Sequence, residues 1–275
     1  MKEEMIKLFD LSGKTAVITG GAGVIGSHLA LGLGRAGARI VITDIGPTDE
    51  VVEKAKSEGI DARGYYMDVM DPQKLKEATD KIIEDMGQVD ILINCAGGNM
   101  AAATTSKDLS FFDLPFDALD KVVKLNLFGG AILPAQTFGR YMAKNPEGGS
   151  IINISSMNAF RPLTRIPGYS AAKAAVSNFT QWLAVHFAQE YNKKLRVNAI
   201  APGFLSTKQN RYLLYNEDGT LSDRGKTIIA HTPMGRFGEP DELIGVTVWL
   251  ASDAASFVTG VVVPIDGGFN AFSGV

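Results

Sequence analysis

Seven short runs rich in β-branched residues, TAVIT, ARIVIT, ARGYYM, VDILIN, GSIINIS, LRVNAIA and GVVVPI, alternate along the chain with segments whose apolar residues recur every three to four positions. The clearest of these helical segments are VIGSHLALGLGRA, PQKLKEATDKIIEDM, DALDKVVKLNLFGGAILPAQTF and AAKAAVSNFTQWLAVHFAQEY. Near-continuous apolar strands leave no face for water, so they belong in a parallel sheet covered by helices on both sides through right-handed crossovers. The expected fold class is α/β, a doubly wound parallel sheet of about seven strands, and the 275 residues suffice for one domain, 1–275, around one large core. Two connections are long, at about 98–118 and about 204–238. Both leave carboxyl ends of strands, where open α/β sheets bind ligands, and they are read as substrate loops.

Composition narrows the partners. A net charge of -3 without a basic run argues against nucleic acid or an anionic membrane surface, and points to a small molecule. No apolar run approaches the roughly 20 residues that span a bilayer. The start MKEEMIKLFD is too charged for a secretory signal, and Cys95 is alone, so a cytoplasmic protein without disulfides is expected. His28, His186 and His231 are scattered, and no metal site is expected.

The first strand runs into TGGAGVIG, Thr19 to Gly26, and then into a helix. Read from Gly21 this is the G-x-G-x-x-G turn of a Rossmann dinucleotide site, in the strand–helix context the motif needs. Gly21 and Gly23 let the backbone turn and approach a pyrophosphate, which the first amides and dipole of the helix can stabilise, and Gly26 lets helix pack on strand; Gly20, Val24 and Ile25 complete the expected cofactor contacts of this turn. Asp44 ends the second strand about 20 residues on, where a carboxylate accepts from the adenosine ribose. With Ile45 beside it and no Arg or Lys in the turn, the cofactor is expected to be NAD rather than NADP. Asp68 and Val69 follow the third strand, as ligand contacts or as a structural turn; Asp71 is the better helix cap. Asn94, Ala96 and Gly97, in NCAG, close the fourth strand beside the adenine ribose.

The chemistry is expected in SIINISSMNAFRPLTRIPGYSAAKAAVSNF. Tyr169 and Lys173, four apart on a helix, share one face, and an ammonium beside a phenol favours the phenolate. Tyr169 can then serve as base for alcohol oxidation and as acid in reverse. Ser156, thirteen residues upstream, ends a strand at the same edge, where its hydroxyl can bind the reacting oxygen. Asn126 is a polar residue in an apolar helix, suited to holding a water that feeds protons to Lys173.

The ordered set of the glycine turn, Asp68-Val69, NCAG, Asn126, Ser156, Tyr169-x-x-x-Lys173, RVNAIAPG and the DGG at 266–268 resembles the short-chain dehydrogenases/reductases, from about Leu11 to the C-terminus. The resemblance implies that Asn126, Ser156, Tyr169 and Lys173 form a catalytic tetrad and that Lys173 also holds the nicotinamide ribose. It implies further that Pro202, Gly203 and Thr207 line the nicotinamide end and that the protein is a homotetramer. The glycine turn departs from the compact branch by Val24 and resembles the extended branch; length, NCAG and RVNAIAPG favour the compact one.

For the substrate, Asn99, Met157, Asn158, Arg161, Arg165, Lys208, Gln209, Asn210 and Arg211 can converge near the reacting carbon. A guanidinium fork suits a carboxylate and amides suit hydroxyls, so a polyhydroxy acid is expected. The stretch from Ser155 to Ala188 and the lid NEDGTLSDRGKTIIAHTPMGRFGEP resemble D-mannonate oxidoreductases, or fructuronate reductases. That implies hydride transfer between C5 of D-mannonate and NAD, with another sugar-acid or polyol dehydrogenase, such as a gluconate 5-dehydrogenase, as the near alternative. An NAD-sensing protein without turnover is the remote one.

Overall fold

The computed structural model describes residues 2–207 and 210–274; the candidates Lys208 and Gln209 lie outside the described residues. Seven strands form one sheet: β1 (Thr15–Thr19), β2 (Arg39–Asp44), β3 (Ala62–Tyr66), β4 (Ile91–Asn94), β5 (Gly149–Ile154), β6 (Leu195–Pro202) and β7 (Val262–Ile265). They are ordered β3-β2-β1-β4-β5-β6-β7, and every pair is parallel. Among the described residues ten α-helices accompany them: α1 (Lys2–Lys7), α2 (Val24–Arg35), α3 (Asp49–Ser57), α4 (Pro72–Met86), α5 (Phe116–Val123), α6 (Leu133–Met142), α7 (Pro167–Glu190), α8 (Arg211–Leu214), α9 (Asp223–Ala230) and α10 (Ile244–Ala251).

Strand periodicity divides the core into two layers. Ile18, Ile42, Ile93 and Ile200 face one side, where Leu29 and Leu33 of α2, Ala55 of α3 and Leu250 of α10 cover them. Val17, Val41, Leu92 and Val197 face the other, against Ile82 of α4, Phe138 of α6 and Phe187 of α7. Both faces are buried, which is why these strands read as unbroken apolar runs. No helix among the described residues is long and apolar enough to cross a membrane.

The chain winds outward from β1 through β3 one way and from β4 through β7 the other. The order reverses between β1 and β4, opening a crevice beyond their carboxyl ends. Thr19, paired with Asn94 across those strands, fastens it: its Oγ1 accepts from the amides of Cys95 at 3.1 Å and Ala96 at 3.3 Å. Both long connections end on this edge. The first carries two 3-10 turns at Ala101–Ala103 and Phe111–Asp113, and the second carries α8 and α9 over a small apolar cluster of Leu214, Ile228 and Phe237.

Candidate active site

The glycine turn between β1 and α2 is tight where the chain doubles back. Gly20 has φ +63°, and a Cβ there would lie 2.8 Å from the Cα of Ala96. A Cβ on Gly21 would meet the Ile18 carbonyl at 2.9 Å, and one on Gly26 the Gly20 carbonyl at 2.3 Å. Gly23 is different: it is the N-cap of α2 with an ordinary extended backbone (φ -70°, ψ 166°), and a Cβ would sit 3.2 Å from the Gly20 carbonyl. The positive φ that the turn requires therefore falls at Gly20 and not at Gly23. Val24 opens the helix proper, a position any residue can take. With no side-chain cap at this end, the first amides of α2, at Val24, Ile25 and Gly26, remain for an external acceptor. A pyrophosphate suits them, and the missing side chains at Gly20, Gly21 and Gly26 let the turn close this tightly against β2, β4 and itself.

Asp44, at the end of β2, braces this turn. Its Oδ2 accepts from Ala22 at 3.1 Å and its Oδ1 from Gly46 at 3.0 Å, which fixes the carboxylate while leaving lone pairs for a ribose hydroxyl. Ile45 beside it is exposed, 66 % of its surface open. Asp68 accepts from the Met70 amide at 2.9 Å and Val69 is buried against Gly129, whereas Asp71 caps α4 through Gln73 and Lys74. Asn94 departs from expectation. Its side chain turns into the core, donates to Asn153 Oδ1 at 2.8 Å and is 1 % exposed, so it braces β4 against β5. Ala96 and Gly97 do lie at the crevice; a Cβ on Gly97 would come within 2.8 Å of Asn126 Oδ1 and 3.5 Å of Lys173 Nζ.

Tyr169 and Lys173 stand one turn apart near the start of α7, with Lys173 Nζ 5.6 Å from the centre of the Tyr169 ring. Ser156, just beyond β5, caps a 3-10 turn by accepting from the Asn158 amide at 3.2 Å, and hydrogen bonding with Ser156 favours the Tyr169 phenolate. Burial outweighs that and raises the Tyr169 pKa above its usual value, an effect the neighbouring Cys95 reinforces. Burial also pulls the Lys173 ammonium down to about 8, and Lys173 donates to the Ile154 carbonyl at 2.7 Å. In this cofactor-free state burial dominates the Tyr169 phenol. Two buried groups each pay for desolvation here, and the ammonium is directed to a carbonyl.

Asn126 lies in a nine-residue π-helical segment, Lys124–Ile132, between α5 and α6. The wide turn is seated by Gly130, where a Cβ would strike the Ala96 carbonyl at 2.6 Å. Asn126 Oδ1 accepts from the Gly98 amide at 3.1 Å, while its Nδ2 donates to the carbonyls of Gly98 at 2.6 Å and Val122 at 2.8 Å. Its side-chain donors are thus spent on holding the loop after β4. Any water relayed toward Lys173 has to be held by backbone carbonyls.

A consequence for stability follows from Lys173. A lysine whose pKa is lower folded than unfolded opposes folding most below about pH 8, and the penalty fades as pH rises from there toward 10.5. Lys173→Met should therefore raise the unfolding free energy of the cofactor-free protein by on the order of 2 kcal/mol at pH 7. The gain over wild type should shrink as denaturant titrations move to higher pH; a gap independent of pH would contradict it.

The substrate candidates divide. Met157 is buried, and Asn158 accepts from the Leu163 amide at 2.9 Å and is 5 % exposed, so both brace the β5–α7 loop. Asn210 locks its own loop, accepting from Thr207 N at 2.9 Å and donating to the Leu205 carbonyl at 2.7 Å, and is corrected from substrate contact to scaffold. Arg161 Nε donates to the Asn270 carbonyl at 2.7 Å, tying the C-terminal tail down, and Arg211 stacks 4.7 Å over Tyr215. Asn99 donates to Thr104 at 2.8 Å. Gly203 is required less by a cofactor than by the tail, because a Cβ would lie 2.6 Å from the Asp266 Cα. Pro202 is buried at the end of β6, and Thr207 is half-buried in the locked loop. A groove of about 670 Å³ lies beside this region, but it meets α7 at Ser170, Ala171 and Ala174 rather than at Tyr169 and Lys173.

A parallel sheet with a glycine turn at its switch point and a Ser156, Tyr169, Lys173 cluster across the crevice defines a nucleotide-dependent oxidoreductase. The chain belongs to the short-chain dehydrogenase/reductase family, whose members use a nicotinamide cofactor; the profile described as enoyl-(acyl carrier protein) reductase matches residues 20–270. It is 47% identical to the oxidoreductase UxuB of Bacillus subtilis, over 98% of this chain and 100% of that one. A Haemophilus influenzae protein crystallised with NAD, under the provisional name D-mannonate oxidoreductase, superposes with a TM-score of 0.90 at 44% identity, over 98% of this chain and 100% of that one. A gluconate 5-dehydrogenase from Burkholderia cenocepacia, in complex with NADP and tartrate, follows with a TM-score of 0.85 at 31% identity, over 98% and 99%.

Proposed function

We propose that the protein is an NAD-dependent oxidoreductase that moves a hydride between the nicotinamide and a secondary alcohol or ketone of a sugar acid, D-mannonate and D-fructuronate being the pair. The observation that carries this reading is the gathering of Ser156, Tyr169 and Lys173 opposite the uncapped start of α2. In the oxidative direction Ser156 Oγ orients the substrate hydroxyl and Tyr169 Oη takes its proton as the C–H hydride departs; in reduction Tyr169 returns the proton. Lys173, fixed by Ile154, is placed to hold ribose hydroxyls, and Asn126 keeps Gly97 and Gly98 clear of it. Bound NAD supplies the hydride acceptor and, in its oxidised form, a positive ring that favours the phenolate.

The similarity to an NAD-bound protein of provisional mannonate activity supports the substrate pair, and the likeness to a gluconate 5-dehydrogenase supports gluconate oxidation as the second reading. A cofactor sensor has no use for an intact Ser156, Tyr169 and Lys173. Purified protein with NADH and D-fructuronate should lose the near-ultraviolet absorbance of NADH; NADH binding without turnover of any sugar acid would defeat the reading. Homotetramer formation is part of the same proposal, supported by Trp182 and Val185, each 57 % exposed on α7.

NAD rather than NADP follows from Asp44, because a 2′-phosphate would face a carboxylate already fixed by Ala22 and Gly46. Asp44→Ala should lower the ratio of kcat/KM for NAD over NADP by about tenfold or more, one lost charge repulsion being worth about 1.4 kcal/mol. An unchanged ratio would remove Asp44 from cofactor choice.

A further inference from the structure

We propose that Ser155 and Ser177 are positioning residues of the active site, a hydroxyl pair that locks the Lys173 turn of α7 to the end of β5. The inference rests on the reading of Ser156, Tyr169 and Lys173 as the hydride-transfer site, and adds to it the residues that set their spacing.

Three successive residues at the end of β5 act on α7. The Ile154 carbonyl accepts from Lys173 Nζ at 2.7 Å. Ser155 Oγ donates to the Lys173 carbonyl at 3.2 Å and lies 2.7 Å from Ser177 Oγ. Ser156, next in the chain, carries the hydroxyl that meets Tyr169. Lys173 is thus gripped at both ends by adjacent residues, its ammonium by Ile154 and its backbone by Ser155. The Ser155 amide donates to the Ile200 carbonyl of β6 at 2.8 Å and the residue is 2 % exposed, so the grip stands on the sheet rather than on a loop.

The proton count fixes the direction of the chain. Each serine has one O–H to give, and a carbonyl has two lone pairs, so the Lys173 carbonyl can take the Ser155 bond besides its helical one. With the Ser155 proton given there, Ser177 has to be the donor across the 2.7 Å contact.

Strand alternation adds a second rung below. Asn153 and Ser155 face α7, while Ile152 and Ile154 enter the opposite core layer. Asn153 Nδ2 donates to Thr180 Oγ1 at 2.9 Å. Apolar packing is non-directional and lets a helix slide slightly along a sheet, whereas buried hydrogen bonds fix its register. Only the upper rung acts on the turn that carries Lys173. Without it α7 keeps its apolar face and its lower rung, but Lys173 and Tyr169 lose their fixed spacing from Ser156. A misplacement of about 1 Å near reacting atoms costs on the order of 10²-fold in rate.

The test measures kcat and KM for D-mannonate, or for D-gluconate if only that acid is turned over, at saturating NAD. Wild type is compared with Ser155→Ala, Ser177→Ala, Ser177→Thr and the double alanine variant, with NADH affinity followed by fluorescence and folding by circular dichroism. Ser155→Ala should lower kcat by about tenfold or more while KM for the acid stays within about threefold. It should also weaken NADH binding by about threefold or more, a partial loss of the charge-assisted bond that Lys173 gives the ribose. Ser177→Ala should lower kcat in the same direction, and Ser177→Thr, which keeps the hydroxyl, should restore it. The double variant should be no worse than Ser155→Ala by more than about twofold, because the two hydroxyls form one chain. A smaller kcat loss in Ser155→Ala, a Ser177→Thr no better than Ser177→Ala, or losses that multiply in the double variant would each overturn the lock. If Ser155→Ala does not fold, Ser155→Cys, close in shape but a weak donor, is held to the same thresholds. Wild type that turns over neither acid overturns the sugar-acid reading instead. The lock is then judged on NADH binding alone, and a Ser155→Ala affinity within about threefold of wild type overturns it.

Discussion

Tyr169→Phe is expected to lower kcat for sugar-acid oxidation by about 10³- to 10⁴-fold while NADH binds almost as before. The substitution removes one oxygen from a half-buried ring on α7 and leaves the ring's packing against the Ala103, Ala118 and Val122 cluster intact, so the fold has no reason to change. What it removes is the group proposed to exchange a proton with the reacting oxygen, and general acid–base catalysis alone is worth about 10² to 10⁴. The Ser156 contact is lost with it. Because burial raises the Tyr169 pKa, the wild-type oxidation rate should also climb toward alkaline pH, and the residual activity of the Phe variant should not. Stopped-flow measurement of the NADH formed in the first turnover checks both statements. A variant retaining a tenth of wild-type turnover would exclude Tyr169 as the proton carrier.

The second large effect is at the glycine turn, where two substitutions of identical chemistry should part company. Gly26→Ala puts a methyl 2.3 Å from the Gly20 carbonyl, a distance no real contact tolerates, so the turn must open or α2 must shift. Either displaces the first amides of α2, and cofactor affinity should fall by about 100-fold or more, two charge-assisted bonds being lost. Gly23→Ala meets the same carbonyl at 3.2 Å from an extended backbone, and a shift of a few tenths of an ångström accommodates it. Its cofactor affinity should stay within about threefold of wild type, a mild strain of this kind costing well under 1 kcal/mol. Titration of NADH fluorescence measures both, with circular dichroism to confirm that each variant is folded. Equal losses would show that the pattern G-x-G-x-x-G, rather than the packing at Gly26, governs the site.

Much of this was legible in the chain. All seven strands were marked by runs such as TAVIT and LRVNAIA; β1, β2, β4, β5 and β6 are buried on both faces and admit no polar alternation to obscure them, whereas the edge strands β3 and β7 are partly exposed and were marked by β-branched and aromatic residues alone. The helices α3 and α9 were not marked: DEVVEKAKS and DRGKTIIA are short and largely polar, and they are held by few buried residues such as Ala55 and Ile228 and, at α9, by the Ser222 cap. The spacing of Tyr169 and Lys173 carried over directly, since a helix fixes four residues to one turn.

What sequence could not show was where short polar side chains point. Asn94 and Asn210 read as ligands, yet one bonds across the sheet to Asn153 and the other closes its own loop, because nothing local distinguishes an amide facing inward from one facing a crevice. Thr19 was missed for the same reason, although it ties the two strands on which the crevice is built. The nine-residue π-helical segment around Asn126 left one trace in the sequence, the pair Gly129-Gly130 inside an apolar helix, and its cause lies in the close approach of Gly130 to Ala96.

Isotope transfer tests the central claim most directly. D-Mannonate carrying deuterium at C5 is incubated with NAD and the enzyme, and the reduced cofactor is examined by mass spectrometry. The label should appear at C4 of the nicotinamide, on one face of the ring, with one deuterium gained for each D-fructuronate formed. Reduced cofactor free of label, or none formed from labelled mannonate or from any other sugar acid, would contradict hydride transfer at this site.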